Sequence, residues 1–307
     1  MTIDLVCGDA AFVDMTFLGL DALPAAGEER HARELLRSPG GAATVAIGAA
    51  RLGLSVGLAF PLGADADGDA VRAVLADEGV AVNDRQVART SVTVVMPTDG
   101  ERAMATYDAD AELTAGDVAG FAPRAVVLSV QRLACVPEDA SSYATIGDDG
   151  ARAHAGGALP TELARARALI VNAREARVLS GRDDVADAAR ALTAAAPRVV
   201  VTLGADGALS ADRDQDVVRV PGVVVDPVVD TTGAGDLFTA AYIWSDLAGG
   251  TPEDSLRWAC LAAALSVRVP TAVAGAQGRA ALVAAGAERG LAVPAHSSSP
   301  RVWGAGS

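Results

Sequence analysis

The sequence contains no lysine, so all 25 of its Lys and Arg positions are arginine. A Walker A phosphate loop, the β3 lysine of protein kinases and a Schiff-base mechanism each need a lysine, so all three are excluded. The net charge of -14 at pH 7 argues against polyanionic partners such as nucleic acid or an anionic membrane surface. A phosphate group bound by this chain must therefore be held by the groups around it and not by the overall charge of the protein.

Cysteine, histidine and long apolar runs are also scarce. The three cysteines and three histidines have no spacing typical of a zinc site or a disulfide framework. No run reaches the roughly 18 apolar residues of a membrane span, and the N-terminus lacks the basic start of a signal peptide. We therefore expect a cytoplasmic protein without a membrane partner.

Hydrophobic residues make up 51% of the chain and aromatic residues only 4%, which favours a core of Ala, Val and Leu. Apolar runs predict strands over residues 3–7, 54–60, 125–130, 168–171 and 199–203. Helical spacing predicts helices over residues 41–52, 70–78, 187–196, 237–247 and 254–267. This alternation predicts a parallel sheet covered by helices on both faces.

Two segments break the alternation. Extended runs over 91–97 and 101–107 flank Thr98-Asp99-Gly100, which predicts a hairpin outside the main sheet. Residues 141–158 are rich in glycine and polar side chains, and the pattern assigns them no element.

Residues 229–242, VDTTGAGDLFTAAY, carry the most chemical information. They start as a strand, turn through Gly233-Ala234-Gly235 and continue as an amphipathic helix from Asp236. Small residues leave backbone N–H groups uncovered, and a helix start adds about half a positive charge, so this turn can hold a phosphoryl group without lysine. Asp236 is either an ordinary first-turn acid or a group that serves a reaction there.

The run DTTGAGD at 230–236 resembles the C-terminal signature of the ribokinase-like, or PfkB, carbohydrate kinases. Further matches follow the family's order: Gly8, Asp14, Pro24, Gly27-Glu28, Gly40-Gly41, the ARLG run at 50–53, GADADG at 63–68, NARE at 172–175 and TLGADG at 202–207. The resemblance covers about residues 3 to 290. It implies an α/β fold, the ribokinase-like three-layer sandwich with a mainly parallel central sheet and a small β-sheet lid.

The resemblance also implies an activity. It predicts one kinase domain over residues 1–292, with a lid from about 12–38 and 90–108, followed by a tail at 293–307. The implied reaction is ATP-dependent phosphorylation of a hydroxyl, a primary alcohol above all, on a sugar or sugar-like small molecule. By similarity Asp236 is the general base, and the N–H groups of Gly233, Ala234 and Gly235 form the anion hole.

The implied cofactors are ATP and Mg²⁺. Asn172 and Glu175 would present oxygen atoms to the phosphates and to Mg²⁺, with Glu175 acting through water. They also have the spacing of a capping box, and both interpretations can hold together. Thr202, Gly204 and Gly207 would flank the nucleotide.

A monovalent cation is a further implied ligand. Asp230 and Thr232 match the positions that bind such an ion beside the anion hole, together with carbonyl groups expected over 272–276. Cation dependence varies among members of the family, so K⁺ is expected on this resemblance alone.

The substrate side departs from the family pattern. Asp14, Gly40, Gly41 and Thr44 are the implied substrate-binding residues, but Thr44 stands where the family commonly has asparagine. A single hydroxyl replaces an amide's donor and acceptor, which argues against a substrate identical to ribose. Arg102, on the hairpin, either reaches an acidic or polar substrate group or is a solvated strand residue.

Several alternatives stay open. The partner is a small-molecule sugar or, in a nucleoside kinase of the same family, a nucleoside. The alternative from another functional class is a catalytically idle sugar-binding or regulatory protein with the same fold. A nicotinamide enzyme ranks lower because no GxGxxG follows the first strand. Apolar residues on both faces of the hairpin predict a homodimer through the lid.

Overall fold

The computed structural model describes residues 2–98, 101–213 and 215–294, with residues 98, 101 and 102 described by their backbone alone. The expected turn at 99–100 and the expected tail from residue 295 onward lie outside the described residues.

Nine strands form the main sheet. They are β1 (Ile3–Cys7), β4 (Val56–Leu58), β6 (Ala81–Val82), β10 (Pro123–Ser129), β11 (Ser141–Thr145), β12 (Ala168–Asn172), β13 (Arg198–Thr202), β14 (Ala208–Asp212) and β15 (Val218–Val220). Their order is β15-β14-β13-β12-β11-β10-β1-β4-β6. All pairs from β6 to β13 are parallel, whereas β14 and β15 pair antiparallel at one edge. The expected mainly parallel sheet is confirmed.

Six strands lie outside the main sheet. Four form a second sheet in the order β3-β2-β8-β9, from β2 (Ala11–Leu18), β3 (Glu34–Gly41), β8 (Ser91–Thr98) and β9 (Glu101–Tyr107). The other two, β5 (Leu62–Gly63) and β7 (Gln86–Val87), pair with each other. The pairing of β8 with β9 confirms the predicted hairpin arms, and β2 joins that hairpin to β3.

The helices of the described chain are α1 (Ala42–Arg51), α2 (Ala66–Asp77), α3 (Ala115–Ala119), α4 (Asp148–Ala153), α5 (Ala173–Ser180), α6 (Val185–Leu192), α7 (Ala234–Leu247), α8 (Pro252–Ser266), α9 (Ala272–Gly275) and α10 (Arg279–Ala287). Helix α7 packs against both α1 and α8, and helices α5 and α6 pack against β12–β14. Between α7 and α8, the buried rings of Trp244 and Trp258 meet edge to face at 5.5 Å. None of the helices described here is long and apolar enough to span a membrane.

The strand order reverses direction at the centre of the sheet. From β1 the chain moves to β4 and β6, whereas from β10 it moves the opposite way to β13. Right-handed crossovers therefore place the connecting helices on opposite faces and leave a crevice outside the carboxyl ends of β1 and β10. In an open parallel sheet this crevice is the expected place for a ligand.

Residues 141–158, which the sequence pattern did not assign, form a central part of the fold. β11 lies between β10 and β12, and α4 follows it. Tyr143, at the middle of β11, is fully buried. The strand was missed because SSYAT carries four hydroxyl groups, and two of these, on Tyr143 and Thr145, form hydrogen bonds with distant residues that the local pattern does not contain.

A buried polar network anchors the C-terminal half of α7 to the sheet. Asp246 accepts a hydrogen bond from the hydroxyl of Tyr143 and forms ion pairs with Arg167 at 2.7 Å and Arg198 at 3.5 Å. Arg198 also makes a bidentate pair with Asp212, at 2.7 and 2.8 Å. Burial, with the nearby Asp246 carboxylate, raises the pKa of Tyr143 well above its usual value, so Tyr143 stays a hydrogen-bond donor.

Asp246→Ala is expected to lower the free energy of unfolding by about 3 kcal/mol, because it removes the carboxylate that two largely buried guanidinium groups share. Urea unfolding measures the change. Asp187→Ala is the control, since Asp187 pairs with Arg190 on an exposed helix face and should change stability by less than about 1 kcal/mol. Equal effects of the two variants would contradict a structural role for the network.

Candidate active site

An open cavity of about 1070 Å³ lies in the crevice at the centre of the sheet. Cys7, Ser129 and Thr145, the last residues of β1, β10 and β11, line its floor. Asp236 and Thr239, one turn apart on α7, line the wall above them. The cavity therefore joins the carboxyl edge of three adjacent strands to the start of one long helix.

The start of α7 has the features of an anion-binding turn. Gly233 is the N-cap residue with φ 73°, and no side chain hydrogen-bonds to the cap. A Cβ at Gly233 would lie 2.1 Å from the Cβ of Ala272, so only glycine fits both the backbone angle and the contact. At Gly235 no described atom lies within 4 Å of a Cβ position, so this face of the turn is open. The N–H of Ala234 donates to the Thr231 carbonyl at 3.3 Å.

Asp230 holds this turn against the segment that precedes α9. Its carboxylate accepts from the N–H of Thr232 at 2.8 Å and from the N–H of Thr271 at 3.0 Å. The carboxylate therefore fixes the two segments that meet at Gly233 and Ala272. Beside it, the buried Oγ1 of Thr232 has no hydrogen-bond partner among the described residues.

The predicted substrate residues lie on the other side of the same turn. Asp14 is buried on β2, and a Cβ at Gly40 would lie 2.2 Å from its carboxylate oxygen, so the two positions touch across the lid sheet. Gly41 lines the cavity. Thr44 is buried in α1, where its hydroxyl donates to the Pro39 carbonyl at 3.5 Å. Its methyl group lies 3.4 Å from the Cβ position of Gly233, next to the anion turn.

Arg102 belongs to β9, where its backbone pairs opposite Pro97. Its side chain lies outside the described part of the chain, so its contact with a ligand stays a prediction.

Asn172 and Glu175 form the capping box that the sequence predicted. The N–H of Glu175 donates to Asn172 at 2.9 Å, and the N–H of Asn172 donates to Oε2 of Glu175 at 2.8 Å. Burial, with a further contribution from the Asp148 carboxylate, raises the pKa of Glu175 above its usual range. The box therefore holds the Glu175 carboxylate at the carboxyl end of β12.

The TLGADG run forms the turn between β13 and β14. Thr202 ends β13, and Gly204 begins a 3-10 turn with open space where a Cβ would lie. Gly207, in contrast, packs against the following strand, because a Cβ there would lie 2.1 Å from the Val220 carbonyl oxygen. Packing therefore accounts for Gly207, whereas Gly204 leaves room for a ligand.

Sequence reasoning missed two charged residues of the cavity, Asp9 and Arg132. Asp9 follows β1, and Arg132 lies in the 3-10 turn after β10. Nη1 of Arg132 donates to Asp9 at 2.8 Å. Their positions directly after two predicted strands were a usable signal, because neighbouring parallel strands end at the same edge of a sheet.

Comparison with known proteins relates this chain to one family of kinases. Residues 3–277 match the model of the pfkB family carbohydrate kinases. A fructokinase of Klebsiella pneumoniae is 34% identical over 268 residues, which cover 76% of this chain and 84% of the relative. A 2-dehydro-3-deoxygluconokinase of Escherichia coli is 37% identical over 98 residues, 31% of this chain and 32% of the relative.

Solved structures extend the similarity to the whole fold. The ribokinase of Arabidopsis thaliana, solved with ribose and ATP, aligns with a TM-score of 0.75 at 25% identity. The alignment covers 92% of this chain and 98% of that structure.

Gly235→Ala tests whether the open face of the turn binds phosphate. The methyl group meets no described atom, so the melting temperature should stay unchanged or rise, with a gain of up to about 1 kcal/mol. If a phosphoryl group occupies this space, the affinity for ATP measured by calorimetry should fall about tenfold, roughly 1.4 kcal/mol.

Gly116→Ala, at the same position in the first turn of α3, is the matched control and should leave ATP affinity unchanged. Gly233→Ala should instead destabilise the protein, because its φ is positive and Ala272 blocks the Cβ. Unchanged ATP affinity in Gly235→Ala would contradict the anion-binding assignment.

Proposed function

Because the chain belongs to the pfkB family of carbohydrate kinases, we propose that its central cavity binds a sugar or sugar-like molecule and phosphorylates one of its hydroxyl groups, a primary alcohol, at the expense of ATP. The enzyme class is a phosphotransferase with an alcohol group as acceptor. One observation carries the assignment of the reaction to this cavity: the start of α7, with no side-chain cap, opens beside Asp236 on the cavity wall.

In the proposed reaction Asp236 accepts the proton of the substrate hydroxyl as that oxygen attacks the γ-phosphorus of ATP. The bond from the γ-phosphorus to the bridging oxygen breaks, and ADP leaves with the bonding electron pair. The N–H groups of Gly233, Ala234 and Gly235 stabilise the charge on the transferring group, aided by the positive end of the helix dipole. Positioning and charge stabilisation suffice for this chemistry, so the absence of lysine is no obstacle.

The nucleotide is proposed to lie along the edge formed by Thr202, Gly204 and Gly207, with its phosphates directed to the anion turn. Asn172 and Glu175 would hold Mg²⁺ through water, and they fit this role because the capping box brings an amide and a carboxylate together at the carboxyl end of β12. When bound, Mg²⁺ neutralises charge on the phosphates.

The opposite wall is proposed to bind the acceptor. Thr44 lies next to the anion turn, Gly41 lines the cavity, and Asp14 contacts Gly40 across the lid sheet. Arg102 remains part of this proposal through its place on the lid. A nucleoside acceptor is the second candidate, supported by the ring of Phe12, which is the aromatic side chain among the described lining residues.

Exposed apolar side chains on both faces of the lid sheet support the proposal of a homodimer, since the strand register places Leu35 and Tyr107 on one face and Met104 on the other. Leu35, Met104 and Tyr107 are between 48% and 56% exposed, although all three are large and apolar. A second copy of the lid would bury them.

Asp236→Asn is expected to lower kcat by about 10²–10⁴-fold, because asparagine keeps the size of the side chain but does not accept the hydroxyl proton. ADP affinity and the melting temperature should change little. Asp254→Asn, which alters a first-turn acid of α8 outside the cavity, is the control and should keep full turnover. Near-normal turnover of Asp236→Asn with a lowered melting temperature would reduce Asp236 to a helix-stabilising acid.

A K⁺ ion is proposed beside the anion turn, at Asp230 and Thr232. The residues fit, since the Thr232 hydroxyl is buried without a described partner. Replacing K⁺ by tetramethylammonium should weaken ADP binding by about fivefold or more through coupling of the two sites. Thr232→Val should abolish that difference without loss of stability. Equal ADP affinity of the wild-type protein in both salts would refute the K⁺ proposal.

A further inference from the structure

The cavity contains one ion pair that the proposed phosphoryl transfer does not use, formed by Asp9 and Arg132. Asp9 is held on both sides, because Oδ1 accepts from Arg132 Nη1 at 2.8 Å and Oδ2 accepts from the Thr145 hydroxyl at 3.3 Å. The carboxylate has about four lone-pair positions, so it can accept further hydrogen bonds from a ligand.

Arg132 is fixed as well. Nη1 also donates to the Ser129 hydroxyl at 3.3 Å, and the guanidinium stacks over the ring of Phe60 at 5.1 Å. The other donors, Nε and Nη2, make no hydrogen bond to any residue that the structure describes. The side chain is 30% exposed and lines the cavity, so these donors can meet a ligand. Asp9 and Arg132 thus offer an acceptor and a donor side by side.

Both Asp9 and Asp236 lie close to the end of β1. Their charges add to the effect of burial in raising the pKa of the Cys7 thiol at the floor of the cavity. Because Asp9, Arg132 and Asp236 line the same cavity, a small molecule that presents one hydroxyl to Asp236 can present others to Asp9 and Arg132.

The remaining charges of the cavity wall are negative. Asp108, Asp110, Glu112 and Asp149 are exposed carboxylates at the rim, of which Asp149 is paired with Arg152, and Arg132 is the cation among the lining residues whose side chains are described. Deeper in the cavity, Arg132 balances the charge of Asp9. An anionic acceptor would be repelled by the rim and would find no unbalanced cation among the lining residues whose side chains are described. An ammonium group in place of the hydroxyl beside Arg132 cannot accept a hydrogen bond and carries the same charge as the guanidinium.

On the basis of the proposed kinase function, we propose that the acceptor is an uncharged polyhydroxyl molecule and that two of its neighbouring hydroxyl groups bind the Asp9–Arg132 pair. One hydroxyl donates to Asp9 and the adjacent one accepts from Arg132, while a third reaches Asp236. Sugar acids, sugar phosphates and amino sugars are excluded as preferred substrates by the charges around this pair.

The first test compares acceptors matched in shape but different in charge. Glucose, galactose, fructose and ribose are the neutral probes, glucuronate, galacturonate and 2-ketogluconate the acids, and glucosamine the amine. We expect the best neutral sugar to exceed every charged probe in kcat/KM by about tenfold or more, in assays of ADP release. An acid or an amine that equals the best neutral sugar overturns the inference.

The second test changes the pair itself. Asp9→Asn should raise KM for the neutral sugar about tenfold or more, the loss expected for a hydrogen bond to a charged group, and leave KM for ATP unchanged. It should also raise kcat/KM for the acids relative to that for the neutral sugar, because Arg132 loses its counter-ion. Arg132→Gln should raise KM for the neutral sugar about tenfold or more as well. An unchanged KM for the neutral sugar together with loss of acid turnover in Arg132→Gln would instead make Arg132 an anion-binding residue and contradict the proposal.

Arg124→Gln is the matched control, because Arg124 and Asp4 form a 3.8 Å ion pair near the other end of β10 and β1. It should leave all acceptor constants unchanged. Calorimetry of the same sugars in the presence of a non-hydrolysable ATP analogue tests the proposed kinase function and the charge inference separately. Neutral sugars that bind without turnover contradict the kinase function alone, and acids that bind and react best contradict only the charge inference. No binding of any neutral probe contradicts both.

Discussion

The site depends on the position of the first turn of α7. That position is held by the packing of Gly233 against Ala272 and by the Asp230 carboxylate, which joins the turn to Thr271. The far end of the same helix is fixed to the sheet through Asp246. A helix held at both ends can present its uncapped N-terminus to a ligand without rearrangement, and such preorganisation is what makes backbone N–H groups effective for a developing negative charge.

Electrostatics limit what this cavity can bind. A chain with no lysine and a net charge of -14 does not attract phosphate by its overall field, so the helix start and a bound cation must do so locally. In the region proposed to bind the acceptor, the charges disfavour anions. There the Asp9–Arg132 pair is balanced, and the exposed carboxylates at the rim disfavour anions. The proposed division is therefore between a nucleotide region organised by backbone N–H groups and an acceptor region organised by paired side-chain charges.

Local sequence patterns predicted the parallel sheet, the hairpin arms, the α7 turn and the Asn172–Glu175 capping box, because each depends on neighbours in the sequence. The patterns did not predict β11, whose polar residues are stabilised by distant groups such as Asp246. For the same reason they did not reveal the Asp9–Arg132 pair, whose members are 123 residues apart. The expectation for Thr44 came from motif spacing, whereas the structure shows its hydroxyl bonded to Pro39 and its methyl group against the anion turn.

The central claim is that the N–H groups at the start of α7 bind the phosphoryl group, and the amide resonances of these residues test it most directly. In protein labelled with ¹⁵N-glycine, titration with Mg·ATP analogue should shift the Gly233 and Gly235 amides strongly downfield and saturably. Gly79 and Gly290, which follow helices α2 and α10 outside the proposed site, should stay in place. Unmoved Gly233 and Gly235 resonances at saturating nucleotide would contradict the account.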